Sequence, residues 1–310
     1  MNIRFDNQVV VITGAAGSLG RAYALDVARR GGAVVANDLG GDYHGRGSSR
    51  AVDKVVDEIR AASGTAIANH DSVAEESGGE ALCQAALNAF GKVDALINNA
   101  GNMRIAPFEE VTADDVNSLL SVHVAGAFNV TRPIYRHMKA RGYGRILFTT
   151  SGAAFGNPAQ AAYGAAKGGI IGLMHAVAAE GVAHGILSNG ILPAAATRMV
   201  EALLPAQLAE VGANTVPFQA ELQPENVAPL ATYLISKQCQ SNHCMYSAVG
   251  NRFARVFLGV SQGWLAGRGG VPTAEDIAAR FECICDTRQF DIPANMVDEY
   301  KLISAAIARE

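Results

Sequence analysis

The sequence predicts an α/β fold: a doubly wound parallel sheet, three layers deep (α/β/α), with a C-terminal extension. Two observations carry that reading. Short β-branched runs alternate with longer helical patterns over the first two-thirds of the chain, the order that builds parallel strands joined by crossover helices. The runs are also nearly continuous in apolar residues, as expected of strands covered on both faces. Composition agrees, since 49% hydrophobic and 17% charged residues in a chain of 310 suit a large core.

Taken in order, the strand-like runs are QVVVIT (8–13), AVVAND (33–38), TAIANH (65–70), VDALINNA (93–100), RILFTTS (145–151) and ILSNGILP (186–193). The helical patterns between them cover 20–30, 51–62, 74–90, 113–139 and 160–184. Residues 39–50, LGGDYHGRGSSR, are rich in glycine and serine and read as a flexible loop. Residues 194–225 hold scattered prolines and read as a variable excursion over the mouth of the sheet. VAPLATYLIS is a further helix, and YSAVGNRFARVFLGVSQGW alternates enough for one or two strands. TAEDIAARFECICD (273–286) is a helix with Thr273 as its N-cap and acidic residues in its first turn. The expected organisation is one domain over 1–250, including the loop 194–225, with 251–310 as an extension packed on it. No fixed-period repeat is present.

Charge and targeting signals narrow the function classes. A net charge of −4 without a basic block argues against nucleic acid as a partner. No apolar run approaches the roughly 18 residues of a spanning helix, so no membrane partner is expected. The start, MNIRFDNQVVVITG, lacks the long apolar region of a signal peptide, and the last three residues are not a peroxisomal address of the Ser-Lys-Leu type. A cytoplasmic location is the expectation. Cys239, His243, Cys244, Cys283 and Cys285 match no common zinc spacing, so no metal is expected.

Two motifs carry chemistry. VVVITGAAGSLGRAYAL runs strand, glycine turn, helix start, with Gly14, Gly17 and Gly20 as G-x-x-G-x-x-G around Ser18 and Leu19. An ordinary glycine turn is the bland alternative. The position between first strand and first helix favours a pyrophosphate facing the helix N-terminus. Asp38 ends the second strand, 18 residues after Gly20. A carboxylate there can accept from a ribose 2′-hydroxyl and would repel a 2′-phosphate. This favours NAD, although Arg46 and Arg50 leave NADP open.

The second motif is AAYGAAK. Tyr163 and Lys167 are four apart and share a helix face. A free tyrosine, with a pKa of about 10, is a poor base at neutral pH, and a nearby ammonium favours its phenolate. Such a pair can remove a hydroxyl proton while hydride leaves the adjacent carbon. An exposed tyrosine and lysine on a plain helix is the alternative, and Tyr-x-x-x-Lys alone is common.

In combination, TGAAGSLG (13–20), Asp38, Asp71, NNAG (98–101), TTSG (149–152), YGAAK (163–167) and NGILP (189–193) resemble the short-chain dehydrogenase/reductase family. The pieces fall in family order over about residues 6–200, and the resemblance implies a Rossmann-type sheet. It also implies roles. Gly14 and Gly20 match pyrophosphate-turn glycines, while Ser18 stands where the middle glycine is usual. Asp71, beside Ser72 and Val73, matches the adenine contact. Asn99, Ala100 and Gly101 match the segment along the adenosine ribose. Tyr163 is similar to the family's acid/base, and Lys167 to the lysine that holds the nicotinamide ribose. Pro193 and Thr197 match residues beside the nicotinamide, with Ala194 in place of a glycine. The substrate-orienting serine, thirteen residues before the tyrosine, falls on Thr150, with Ser151 as second choice. The relay asparagine falls on His123, whose imidazole can donate and accept.

GRAYALDVARRGGAVVANDLGGDYHG, NHDSV, SVHVAGAF and PENVAPLATYLIS are similar to the group of (3R)-hydroxyacyl-CoA dehydrogenases that includes type 4 17β-hydroxysteroid dehydrogenases. The expected activity is NAD-dependent oxidation of a secondary alcohol. Met199, Val200, Leu203, Leu204 and Leu208 are candidates to line an apolar substrate pocket, or to pack on the sheet. Arg104, Arg198 or Arg252 are candidates to meet the phosphates of a coenzyme A ester. An NADPH-dependent ketoreductase and an inactive nucleotide-binding scaffold are the alternatives. The resemblance also implies a homodimer or homotetramer, built on the helices 113–139 and 160–184.

Overall fold

VVVIT becomes strand β1 (Val9–Thr13), and all five of its residues are buried. Each fully buried valine or isoleucine contributes about 1.5–3 kcal/mol, so the strand is stable only with cover on both faces. The computed structural model describes residues 2–197, 205–267 and 270–308. It places β1 between β2 (Ala33–Asn37) and β4 (Ala95–Asn98), parallel to both. With β3 (Thr65–Asn69), β5 (Gly144–Thr149), β6 (Ile186–Ala194), β7 (Cys244–Val249) and β8 (Arg252–Val256), the sheet has the order β3-β2-β1-β4-β5-β6-β7-β8. The strand order reverses between β1 and β4, so the crevice outside their carboxyl ends is the switch point where such sheets bind ligands. β7 joins β6 in parallel, and β8 follows after a turn at Gly250 and Asn251, both with left-handed backbone.

The helices between and after these strands, up to residue 234, are α1 (Ser18–Arg29), α2 (Ala51–Ala61), α3 (Glu76–Phe90), α4 (Ala113–Leu120), α5 (Gly126–Arg141), α6 (Ala161–Gly181), α7 (Pro205–Thr215) and α8 (Pro224–Leu234). α4 begins with a capping box between Thr112 and Asp115, which satisfies two first-turn N–H groups. The single helix expected over 113–139 is interrupted by one π-helical turn, Ser121–Ala125, which contains His123. α1 and α8 are tied together by buried Asp26, which accepts from Thr232 Oγ1 at 2.7 Å and from Arg30 Nε at 3.0 Å.

The chain divides into two units, 1–255 and 256–310. The division falls five residues after the expected boundary, because β8 still pairs within the main sheet. The second unit has β9 (Val260–Ser261) antiparallel to β10 (Phe290–Asp291), with α9 (Ala274–Ile284) and α10 (Met296–Ile307). Thr273 caps α9 as expected, in a capping box with Asp276. Phe257 stacks on Phe290 at 5.1 Å.

Candidate active site

The glycine turn is built for close approach. Gly14 has φ +64°, and a Cβ there would lie 2.8 Å from Ala100 Cα. A Cβ on Gly20 would lie 2.1 Å from the Gly14 carbonyl oxygen, so only glycine lets α1 start this near β1. Gly17 is the N-cap of α1 and supplies no side-chain cap, which leaves the first N–H groups of the helix for a ligand. Residues 16–19 are half-buried and face the crevice. Asp38 closes one side: its carboxylate accepts from Ala16 N at 2.9 Å and from Gly40 N at 2.7 Å.

Thr13 pins the opposite side. Its hydroxyl accepts from both Asn99 N and Ala100 N at 3.0 Å, while Asn99 Nδ2 donates to the Thr13 and Gly14 carbonyls. Asn99, Ala100 and Gly101 are thereby fixed beside the glycine turn. At the end of β3, Asn69 Nδ2 donates to the Asp71 carboxylate at 2.6 Å, and Asn37 Nδ2 donates to the Asp71 carbonyl at 2.9 Å. Val73 follows, its carbonyl accepting from Asn129 Nδ2 at 3.0 Å. These residues, on four adjacent strand ends, fit a dinucleotide: an uncapped helix N-terminus, a cradle that any Cβ would fill, and a carboxylate at the second strand.

Tyr163 and Lys167 lie on the first turns of α6 and are 7% and 4% exposed. Alanine and glycine neighbours let this helix sit close; a Cβ on Gly164 would lie 2.9 Å from the Ala153 carbonyl oxygen. The Tyr163 hydroxyl lies near the Ser151 side chain, close enough for the serine to favour its ionised form. Ser151 also accepts from Ala153 N at 3.2 Å, which orients it at the end of β5. Lys167 Nζ donates to the Thr149 carbonyl at 2.8 Å and lies 5.6 Å from the Tyr163 ring centroid.

A hydroxyl-bearing residue, a tyrosine and a lysine thus meet at the switch point beside a dinucleotide cradle. The short chain dehydrogenase family profile matches residues 8–207. The chain belongs to the short-chain dehydrogenase/reductase family. It is an oxidoreductase acting on alcohols with a nicotinamide dinucleotide, and it is 42% identical over 287 residues to peroxisomal multifunctional enzyme type 2 of Mus musculus, a match covering 92% of this chain and 37% of that protein. A short-chain type dehydrogenase/reductase of Mycobacterium tuberculosis is 40% identical over 90% of this chain and 94% of its own length. Among solved structures, full-length peroxisomal multifunctional enzyme type 2 of Drosophila melanogaster superposes with TM-score 0.79 at 29% identity, covering 99% of this chain and 50% of that one. A short chain dehydrogenase from Mycobacterium avium gives TM-score 0.76 at 30% identity, with coverage of 91% and 96%. The chain therefore spans about a third to a half of the multifunctional relatives.

Within this short-chain dehydrogenase, two expectations need correction. Thr150, the first choice for orienting substrate, is 2% exposed, and its hydroxyl donates to the Lys167 carbonyl at 3.0 Å. That hydroxyl helps hold α6 against β5, and Ser151 is the one that meets Tyr163. The second concerns charge. The ammonium was expected to lower the tyrosine, yet burial pushes Tyr163 up to about 12, the nearby Ser151 hydroxyl pulling the other way. Burial likewise brings Lys167 down to about 7. Both ionised forms lose hydration in the same dry pocket.

His123 is 3% exposed, in the π-helical turn, and its ring meets that of Tyr163 edge-on at 5.5 Å. Nε2 lies 2.9 Å from the Asn102 carbonyl oxygen, to which it can donate, and Nδ1 is buried without a partner. Burial, then the charge of Lys167, hold this imidazole well below its ordinary pKa, so it is neutral. It lines a cavity of about 10 Å³ together with Lys167, Thr149 and Asn98, enough for one water.

Pro193 lies within β6, and Ala194 ends it; Thr197 follows, half-buried, after Ala196 N donates to the Leu222 carbonyl. Arg198, Met199, Val200, Leu203 and Leu204 lie outside the described residues, as does the side chain of Leu208. Arg50 donates to Asp53 at 2.5 Å and is committed to that pair. Thr13 was not singled out in the sequence, because a strand-ending threonine carries no local signal; only its two N–H partners, more than eighty residues away, reveal it. Among the described residues no three His, Cys, Asp or Glu side chains form a metal-binding group, and no helix is long and apolar enough to cross a membrane.

Proposed function

We propose that this enzyme oxidises a secondary alcohol to a ketone, reversibly, with NAD as the preferred cofactor and a bulky apolar substrate such as a 3-hydroxyacyl-CoA or a hydroxysteroid. The observation that carries the reading is the buried Tyr163 hydroxyl near the Ser151 side chain, with Lys167 buried on the same helix face. The substrate hydroxyl would take its place between these two oxygens. Ser151 would hold the oxygen, and Tyr163, as phenolate, would accept its proton. Lys167, anchored on the Thr149 carbonyl, would hold ribose hydroxyls and supply positive charge near the phenolate. The neutral His123 would take part in a water relay to Lys167 through the small cavity that both residues line. Bound in the cradle, the nicotinamide dinucleotide supplies the hydride acceptor and, when oxidised, a positive charge that favours the phenolate.

Gly14, Gly17, Ser18, Leu19 and Gly20 would hold the pyrophosphate; Asp71, Ser72 and Val73 the adenine; Asn99 to Gly101 the adenosine ribose; and Pro193 and Thr197 the nicotinamide. Asp38 supports NAD over NADP, because its carboxylate sits at the end of β2 where a 2′-phosphate would be repelled. Assembly as a homodimer or homotetramer is part of the proposal. So is a cytoplasmic location, which competes with the word peroxisomal in two relatives' names; cell fractionation decides between them.

The test is turnover by the purified chain. A (3R)-hydroxyacyl-CoA, a hydroxysteroid and a simple secondary alcohol are each supplied with NAD⁺ and, in parallel, NADP⁺, and formation of reduced cofactor is followed. The reading expects turnover of a bulky alcohol with higher kcat/KM for NAD⁺. Tight binding of NADH with no turnover of any of them contradicts it.

A further inference from the structure

Beside the catalytic helix lies a second cavity, of about 230 Å³, that the proposed chemistry does not use. Its wall is apolar at Ile105, Val111 and Ala162 and cationic at Arg46 and Arg104, and it includes His44 and the Asp115 carboxylate. Ile105 and Ala162 also pack against the apolar cluster of Met103, Leu119, Ala153, Tyr163 and Ala166, so the cavity borders the packing around that tyrosine.

The cationic side is assembled by hydrogen bonds from two distant segments. The loop 39–50, expected to be flexible, is pinned to the segment after β4. Met103 N donates to the Tyr43 carbonyl at 2.8 Å, Asn102 Nδ2 to the His44 carbonyl at 3.3 Å, and His44 Nδ1 lies 3.2 Å from the Met103 carbonyl oxygen. Asp42 folds the loop on itself by accepting from His44 N at 2.9 Å and Arg46 N at 2.8 Å. Gly45, at φ +76°, allows the close approach, since even a Cβ there would lie 3.1 Å from Asn102 Nδ2.

The two guanidinium groups differ. Arg104 is held in place by the Met103 carbonyl at 2.9 Å, Ser118 Oγ at 3.2 Å and the Asp115 carboxylate at 3.4 Å. Asp115 is further occupied by its capping box with Thr112. Arg46 has no side-chain hydrogen bond or ion pair among the described residues, although its charge is felt by the Asp115 and Asp42 carboxylates; in the cavity wall itself two guanidinium groups face the one carboxylate of Asp115. A guanidinium fork beside an apolar wall matches a phosphate attached to an apolar molecule.

We propose that this cavity binds a phosphate group carried by the substrate, with Arg46 and Arg104 as its ligands and the apolar wall leading from it toward Tyr163. The inference rests on the alcohol-oxidation reading and narrows its substrate class to phosphate-bearing carriers. The 2′-phosphate of NADP is the other possible source of the same chemistry. Asp38 argues against it, and the cavity borders α6 and α4 instead of the glycine turn.

Calorimetric titration of the NADH-loaded protein tests this without turnover. The probes are coenzyme A, which carries phosphates, and pantetheine, which shares its thiol arm and carries none. Coenzyme A is expected to bind at least about tenfold more tightly than pantetheine, and Arg46→Gln to weaken coenzyme A about tenfold while leaving pantetheine unchanged. Arg46 is exposed, so the variant keeps its fold, and a thermal melt verifies this. Equal affinities for the two probes, or no effect of Arg46→Gln on coenzyme A, overturns the proposal. Weakening of NADP⁺ binding to the cofactor-free protein, with coenzyme A unaffected, assigns the phosphate to the cofactor and also overturns it. Failure of the alcohol chemistry reads differently: every substrate is then inert, while the binding contrast between the probes persists.

Discussion

Two adjacent hydroxyls at the end of β5 have different fates. Thr150 points inward and donates to the carbonyl of Lys167, whereas Ser151 meets Tyr163. Family spacing alone favoured Thr150, and side-chain direction reverses that choice. Removing each hydroxyl separates the roles. Ser151→Ala is expected to lower kcat about 10²–10³-fold, the cost of losing one preorganised donor to the reacting oxygen. Thr150→Val is expected to leave kcat within a few-fold while costing about 0.5–1.5 kcal/mol of stability, because the Lys167 carbonyl loses the bond it accepts in addition to its helical one. Steady-state kinetics and urea unfolding of the two variants check this, and the opposite pattern would restore Thr150. At this scale Tyr163 and Lys167 were legible from their four-residue spacing only in combination with their place between TTSG and NGILP. Their shifted proton affinities were not, since these depend on how dry the folded pocket is.

Among the elements, the β1–α1 turn shows how backbone geometry alone makes a cradle. The glycine spacing was readable, and so was the strand-to-helix context. The reason for Gly20 was not, because the clash it avoids is with a carbonyl six residues earlier. Gly20→Ala must push α1 away from β1, which is expected to cost about 1–3 kcal/mol and to weaken NADH binding measurably. Differential scanning calorimetry and fluorescence titration provide the two readouts; an unchanged melting temperature with unchanged affinity would contradict the close-packing account. The loop 39–50 teaches the reverse lesson. Its glycines and serines read as flexibility, but Gly45 lets the loop dock near Asn102, and Gly40 lets it fold closely on Ser49. Likewise the helix over 113–139 was legible as a helix, while the π-helical turn that brings His123 beside Tyr163 leaves no mark in the apolar periodicity.

At the scale of the whole molecule, the eight-stranded sheet brings five strand ends to one crevice, and the alternation of apolar runs with helical patterns made that arrangement readable. The contributions of residues 198–204 lie outside the described structure. Global stability carries a pH signature from the imidazoles that folding buries. His123 is held well below its ordinary pKa, His175 is brought down to about 4 by burial and by His243 beside it, and His243 is lowered too. His175 Nδ1 lies 3.0 Å from the His243 ring nitrogens. With folded values below the ordinary 6.5, the unfolded chain binds more protons between pH 6.5 and 4, so stability falls as pH falls through that window. Urea midpoints measured across it are expected to drop, and to drop less steeply in His175→Phe. A midpoint independent of pH over this range would refute the assignment. The central claim, however, is chemical: Tyr163 exchanges the proton while the rest of the site positions it. The most direct measurement is the kcat of Tyr163→Phe beside its affinity for NADH. The account predicts a fall in kcat of about 10²–10⁴-fold with NADH affinity kept within a few-fold; a variant that turned over alcohol at close to the original rate would contradict it.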